Sequence, residues 1–455
     1  MKLPRFLVIA SALLACFPSL SAGGAESGWR AGAAQIDITP DYPVRLSGYG
    51  NRTMENEGVL QHIHAKALAL KWQDEDPVVL ITVDNCGVPD FLRTEVLARL
   101  SKNGHAVEEE RLSLHSSHTH CAPMLRGVLT MLFGQDVSPA EKAHIDQYTE
   151  ELTAKIVTAV SEALDGLAPA AVDWAQGDVK FAGNRRLKTP AGFSNSENPG
   201  GIVDHALPVL RVTGTDGKVR AIFTSYACHC TTLGLNQIHA DWAGCAQEEM
   251  QKRFPGAIAL TAIGCGADQN PYPRREIELA VKHGTELATE AQRVSSGAMK
   301  PLTGPITCAA KTVRLPFDTP RTRQEWETLA GSTNKWTSYH AKHFLAMLDE
   351  GKPVPDGLDY RVQAWSIGGG LTVINLPGEV VVDYGLRFKK TYGQDRTWVN
   401  SYTNDVPCYI PSQRVWEEGG YEAGGAMLYY GRPTRFASGI EEIIAKAVAE
   451  IAPKQ

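Results

Sequence analysis

The segment Leu112-Ser-Leu-His-Ser-Ser-His-Thr-His-Cys121 constrains this chain more than any other. An apolar, alternating run ends in His118-Thr119-His120. Alternate residues of an extended strand share a face, so the spacing predicts that both imidazoles point at one spot. Two neutral imidazoles converging at the end of a buried strand begin a zinc site. Far downstream, a β-rich run over 221–227 delivers His229 to a strand end within Ser225-Tyr-Ala-Cys-His229-Cys-Thr-Thr232. A single histidine of this kind reads most simply as a strand-terminal hydrogen-bonding residue. Two runs of the same form favour a metal.

With 455 residues, the chain can bury the core of one large α/β domain or of two domains. A hydrophobic content of 43% and a charged content of 21% describe a globule, not a disordered chain or a membrane bundle. The formal net charge of -6, with no lysine and arginine cluster or basic helix, argues against a nucleic-acid partner.

The first 25 residues depart from that pattern. Met1-Lys-Leu-Pro-Arg5 is a short basic region, 6–15 is apolar, and 19–25 is small and polar. This is the anatomy of a secretory signal whose apolar stretch is too short to span a bilayer. It predicts an exported protein, periplasmic or secreted, with the mature domain over 26–455. Leu13-Leu-Ala-Cys16 offers a lipoprotein box as the lesser alternative, with Leu14 a poor fit. Eight of the nine cysteines lie beyond the signal, and export raises the prospect of disulfides among them. No Cys-x-x-Cys occurs, which argues against a thiolate zinc ribbon. In extended strands Cys121, Cys228 and Cys230 would point away from the histidine faces, as packing or as a disulfide behind the site.

Strands and helices alternate along the rest. Buried strands are predicted over 77–84, 111–117 and 257–263, and a hairpin over 207–212 and 221–227 across Thr213-Gly-Thr-Asp-Gly217. Helices are predicted over 88–102, 139–167, 242–254, 275–294 and 321–348, with Ser138 and Pro139 as an N-cap and first-turn pair and Gly166 as the stop. A second hairpin is expected over 360–375. The reading is a single large α/β domain, a mixed sheet with helices packed on its faces.

Two more segments look like loops that carry chemistry. Leu371-Thr-Val-Ile-Asn-Leu-Pro-Gly-Glu379 ends a strand in a sharp turn and is expected to set Glu379 at the start of a helix. The helix dipole favours a carboxylate there, which could equally cap the helix or bind a metal. In Ile263-Gly-Cys-Gly-Ala-Asp268-Gln-Asn270-Pro271 a buried strand runs into a Gly-rich polar turn without the Gly-Lys-Ser/Thr of a phosphate loop.

Together these segments resemble the catalytic domain of the neutral, non-lysosomal ceramidases, zinc amidases that split ceramide into sphingosine and fatty acid. The resemblance runs in order from Gly32-Ala-Ala-Gln-Ile-Asp37-Ile-Thr-Pro40 and Gly48-Tyr-Gly50, through Ser117-His-Thr-His120, Asn184-Arg185, Cys228-His229-Cys-Thr231, 268–271, Leu376-Pro-Gly-Glu379 and 404–409, to Tyr421-Glu422. It implies a Zn2+ held by His118, His229, Glu379 and Tyr409, with Tyr402 a competitor for the tyrosine. It implies that His120, Arg185 and Tyr421 hold the carbonyl oxygen and the transition state, and that Asp268 and Asn270 lie in the substrate loop. Two departures accompany it. Asn270 stands where the family has a serine that reads substrate hydroxyls, and the family's C-terminal immunoglobulin-like domain has no counterpart after 421–454.

The implied chemistry suits these residue types. Zinc lowers the pKa of bound water to about 7, and an attacked amide develops an oxyanion that His120, Arg185 and Tyr421 could stabilise. His120 is also the first choice for the acid that protonates the departing amine. The expected substrate is a small or lipid-like N-acyl compound, ceramide being one candidate, and a lipid-like substrate would bring peripheral membrane contact. A serine hydrolase lacks its Gly-x-Ser-x-Gly elbow here, and a classical zinc peptidase lacks His-Glu-x-x-His. A zinc esterase and a non-catalytic exported binding protein of the same fold remain the alternatives.

Overall fold

Strand 64–72 shows how the core is layered. Ala65, Ala67 and Ala69 belong to one buried cluster, Leu68 and Leu70 to another, so both faces of the strand are covered. Successive side chains point to opposite faces, and this strand puts small residues under helices and large ones towards a second sheet. The computed structural model describes residues 28–453. The predicted signal lies outside them.

The main sheet has nine strands. Eight run in the spatial order Ile258–Ile263, Val219–Tyr226, Ala206–Gly214, Ala168–Asp178, Trp29–Asp37, His64–Trp72, Val78–Val83 and Leu112–Ser116. The ninth, Lys300–Pro301, pairs with Ala168–Asp178. The two outermost pairings, Val219–Tyr226 with Ile258–Ile263 and Val78–Val83 with Leu112–Ser116, are parallel, and the inner ones are antiparallel. The sheet curls so that Ile258–Ile263, at one edge, lies against Val78–Val83 and Leu112–Ser116 at the other. That curl brings the two histidine-bearing strand ends together.

Helix Pro139–Asp165 packs on strands Trp29–Asp37 and His64–Trp72. It approaches so closely that a Cβ on Gly32 would fall 2.1 Å from the Ala163 carbonyl oxygen. The Ser138 hydroxyl accepts the Glu141 N–H at 3.2 Å while Glu141 accepts the Ser138 N–H at 2.8 Å, a reciprocal cap that satisfies two orphan donors. Helices Asp241–Arg253 and Ile277–Ser296 pack on each other, the first also on Ile258–Ile263 and the second on Ala168–Asp178. The other face is covered by a four-stranded sheet, Ile306–Pro316, Gly357–Ile367, Leu371–Asn375 and Thr397–Asn400, whose Trp365, Val373 and Trp398 join Phe223 and Leu260 in one cluster. The architecture is therefore α/β with helices on a mixed sheet, as the strand and helix alternation predicts, with a second sheet on the far face.

One expected element differs. The helix predicted over 321–348 is two helices, Arg323–Ala330 and Lys335–Asp349. Gly331 ends the first and Asn334 starts the second, accepting the Thr337 N–H at 3.1 Å; the polar Gly331-Ser-Thr-Asn334 turn between them is the break that the single-helix expectation overlooks. Of the two roles left open for the cysteines, packing or a disulfide, the described residues show packing: all eight described cysteines are free thiols, seven of them buried. No described helix is long and apolar enough to cross a membrane.

Candidate metal centre

His118 and His120 do converge, but not by strand alternation. The strand stops at Ser116, and His118 adopts a left-handed backbone with φ 58°. This turn aims the His118 ring inward and lets the His120 N–H reach the Cys230 carbonyl at 3.4 Å, joining the two histidine-bearing loops. His229 likewise lies beyond its strand, which ends at Tyr226. Its N–H donates to the Gln269 carbonyl at 3.0 Å, and the Gln269 side chain ties back to the Ala227 carbonyl at 2.6 Å. The polar loop after Ile263 therefore props His229 in place.

Glu379 is not at a helix start, contrary to expectation. It forms a two-residue strand, Glu379–Val380, paired in parallel with Tyr409–Ile410, so Glu379 and Tyr409 are register partners. Helix Val382–Tyr392 begins three residues later, and its first N–H is capped by Asp268 Oδ1 at 2.9 Å. Gly378 makes the turn possible: its φ is +78°, and a Cβ there would lie 2.7 Å from the Cys408 carbonyl oxygen.

Three donor groups meet as a result. His118 Nε2 lies 3.3 Å and His229 Nε2 3.1 Å from the same oxygen, Glu379 Oε2. All three residues are at most 3% exposed. Each histidine donates its other nitrogen to a backbone carbonyl: His118 Nδ1 to Cys86 at 2.5 Å, His229 Nδ1 to Gly266 at 2.9 Å. Such outer contacts fix the tautomer and aim the Nε2 lone pairs at the carboxylate. Lone pairs facing a carboxylate oxygen repel it unless a cation or proton lies between, and two imidazole nitrogens with one carboxylate form a donor set that suits zinc. The residues therefore fit a metal. Tyr409 Oη stands 3.2 Å from His229 Nε2 and accepts from Arg185 Nη2 at 3.0 Å. Tyr402 Oη is 3.4 Å from Glu379 Oε2, and Tyr430 donates to the other Glu379 oxygen.

The electrostatics follow from burial and from these neighbours. Burial opposes charge on Glu379, yet His118 and His229 hold its carboxyl well below the usual range. Burial also opposes charge on His118, but Glu379 and Cys86 raise it to about 10. Burial and Arg185 push His229 down to about 4. His120, buried beside His118 and His229, is pushed well below its ordinary value and stays neutral. Its Nε2 is 3.2 Å from His118 Nε2, and its Nδ1 has no hydrogen-bond partner.

Two cavities meet at this centre. One, of about 290 Å³, has His118 and Glu379 beside Leu129, Leu132, Trp336 and Tyr429. The other, of about 560 Å³, is polar, bordered by Arg185, Thr231, Asn270, Arg274 and Arg275. Both border on Gly48, Tyr49, His120, Tyr409 and Tyr421. Arg185 extends from Tyr409 to Asn270 Oδ1 at 3.3 Å, and Thr231 Oγ1 donates to the same oxygen at 3.2 Å. Asp268 borders neither cavity; it is fully buried, and burial raises it to about 7 against the Val382 hydrogen bond. Cys86, Tyr430, Trp336 and Arg274 also line these cavities, and none carries a local sequence signal that would have revealed it.

Residues 29–267, which build most of this curled sheet and contain both histidines of the centre, match a known family. The chain belongs to the neutral/alkaline non-lysosomal ceramidases, whose N-terminal domain pattern matches residues 29–267. It is similar to neutral ceramidase 2 of Arabidopsis thaliana, 23% identical over 239 residues; the match covers 49% of this chain and 30% of that protein. The fold is similar to that of neutral ceramidase from Pseudomonas aeruginosa, with a TM-score of 0.69 and 18% identity over 87% of this chain and 70% of that one. A ceramidase complexed with C2 gives a TM-score of 0.69 at 17% identity, over 90% of this chain and 72% of that one.

Proposed function

We propose that this chain is an exported zinc-dependent hydrolase that cleaves the amide bond of an N-acylated substrate. The observation that carries the proposal is the aim of two tautomer-fixed Nε2 atoms at one carboxylate oxygen, at the meeting point of an apolar and a polar cavity. His118 and His229 would hold the ion through Nε2, Glu379 through Oε2 and Tyr409 through Oη. Bound zinc supplies a Lewis acid and water whose pKa is lowered to about 7.

The remaining groups act on the substrate. His120 is neutral and faces both cavities, so its N–H suits the oxygen that gains charge as the carbonyl is attacked. Arg185 and Tyr421 approach from the polar side, with Arg185 stacked 5.7 Å from the Tyr421 ring centre. Trp336, Leu129 and Leu132 exclude water from the acyl side. His120 is also the first choice for the acid that protonates the amine as it departs. Export rests on the basic, apolar and small-residue order of 1–25.

The test is metal content and turnover together. Purified protein should carry about one zinc per chain and hydrolyse an N-acyl amide, ceramide being one candidate to assay, with loss on chelation and recovery on zinc addition. Full turnover of an ester without any amide cleavage would overturn the amidase reading and leave a zinc esterase. Protein that binds no metal would overturn the proposal as a whole. Fractionation of expressing cells tests export.

A further inference from the structure

The polar cavity contains more positive charge than an uncharged substrate needs. Three arginines border it, Arg185, Arg274 and Arg275, against one carboxylate, Glu197, which is exposed at the rim. Arg185 is neutralised from behind by Glu422 at 2.8 Å. Arg274 and Arg275 have no ion-pair partner among the described residues. After burial, the groups that act most strongly on Arg274 are Tyr49, Arg275, Tyr272 and Arg185, none of them a carboxylate, and its buried Nε has no hydrogen-bond partner among the described residues. Arg275 reaches Tyr49 Oη at 3.4 Å and leaves the rest of its fork to the cavity.

The chain maintains this arrangement against local preference. Arg275 has φ 97°, a conformation that L side chains rarely adopt, and its N–H is tied to the Thr232 carbonyl at 2.6 Å. Gly234 clears the space beside it: a Cβ there would sit 2.9 Å from Arg275 Nη1. Tyr49 connects this corner to the centre, its ring edge-on to His120 with centroids 4.7 Å apart. The unpaired, half-buried Arg274 guanidinium is costly unless an anion completes it, and the planar forks of Arg274 and the exposed Arg275 match carboxylate, sulfonate or phosphate oxygens.

Resting on the hydrolase reading above, we infer that the substrate bears an anionic group on the amine half of its amide, read by Arg274 and Arg275, as in an N-acyl amino acid. The acyl half fits the apolar cavity, whose volume of about 290 Å³ lies at the low end for ligand pockets and suits a short or medium chain. The reaction balances as ordinary hydrolysis. Water oxygen bonds to the carbonyl carbon, the C–N bond breaks, and the nitrogen takes up a proton, giving a fatty carboxylate and an amine that retains its anionic group.

The experiment compares three probes on the zinc-loaded full chain: N-octanoylglycine, N-octanoyltaurine and the uncharged isostere N-octanoylglycinamide. The expected kcat/KM is at least tenfold higher for the better of the two anionic probes than for the isostere, mainly through KM, and the better one identifies carboxylate or sulfonate as the preferred anion. Arg275→Gln, at an exposed position, and Arg274→Gln should each bring that ratio towards one. A wild-type ratio near one, or a preference that survives both substitutions, overturns the inference while leaving the hydrolase intact. If no probe is hydrolysed, calorimetric binding decides: tighter binding of the anionic probes, weakened by Arg275→Gln, supports the inference and overturns the hydrolase reading. Equal or absent binding overturns the inference too.

Discussion

Arg185 and Glu422 stand 237 positions apart in the chain, yet Nε and Oε1 meet at 2.8 Å with both side chains almost fully buried. The second Glu422 oxygen takes Arg186 Nη1 at 2.5 Å. One carboxylate thus fixes a pair of adjacent guanidinium groups, and the outer nitrogens of Arg185 are left pointing at Tyr409 and Asn270. Glu422 is a positioning residue: it touches no cavity surface itself but sets the aim of one that does.

Replacing Glu422 by glutamine should therefore be costly in two ways. It leaves the buried Arg185 without a carboxylate, while Arg186 keeps Glu418 at 3.0 Å, a loss of about 3–5 kcal/mol by comparison with other broken buried pairs. It should also lower kcat in whatever protein folds, with Glu422→Asp recovering part of the turnover. Denaturant melts and steady-state kinetics read the two effects separately; a variant as stable and active as wild type would remove Glu422 from this role.

Metal retention would separate the proposed ligands from the proposed substrate contacts. His118→Ala and His229→Ala should lose the ion by elemental analysis, whereas His120→Ala should retain it and lose about 10²–10³ in turnover. Loss of metal in His120→Ala would make His120 a ligand, with Cys86 and His118 as its nearest partners.

Gly48 allows the His120 ring to lie against the backbone. Its φ is +87°, and a Cβ would fall 2.3 Å from His120 Cγ. Gly48→Ala should cost about 1–3 kcal/mol of stability and displace the ring. The expected kinetic signature resembles that of His120→Ala, with metal retained. An alanine variant of wild-type activity would show that His120 need not occupy this position.

Asp405 gives a pH dependence far from neutral chemistry at the centre. Its Oδ1 accepts the Asp90 N–H at 3.2 Å, while burial and then Asp90 push its carboxyl up to about 6. The folded state therefore holds this proton between about pH 4 and 6, after the unfolded chain has released it. Stability falls as pH rises through that window, and above pH 6 the ionised group carries the full penalty. Asp405→Asn should raise the stability by about 2 kcal/mol at pH 7.5, the gain closing below about pH 4. Thermal melts at both pH values check it; a gain independent of pH would exclude the titration.

Alkylation tests the cysteines. With seven of eight described thiols buried and none paired, native protein should label at Cys308 at most, and unfolded protein without reductant at all eight. Fewer than eight after unfolding would reveal a disulfide.

Much of the sheet was legible because its strands are short apolar runs between turns, as in Val78–Val83, and because Ser138 and Glu141 announce their helix. The histidines were legible as types in order, but their convergence was read from strand alternation. It arises instead from the left-handed turn at His118, which depends on contacts to the 230s. Glu379 was placed at a helix start that Asp268 caps instead, because a two-residue parallel bridge to Tyr409 leaves no periodicity to read. Tyr430, Cys86 and Arg274 reach the centre only through the curl of the sheet and the folding of the last hundred residues. Such long-range placement has no trace in local pattern.

The two histidines fall inside the stretch that matches the family's N-terminal pattern, but Glu379, Tyr409, Tyr421 and Tyr430 come more than a hundred residues after it. A chain folded only through residue 267 would present two imidazoles without their carboxylate. Pairings of such long sequence separation form late and slowly. An ion that binds only the completed set adds its binding energy to the finished fold alone, stabilising it in proportion to the logarithm of its concentration. Metal uptake would then serve as a timer for maturation, rising only when the last third of the polypeptide has docked.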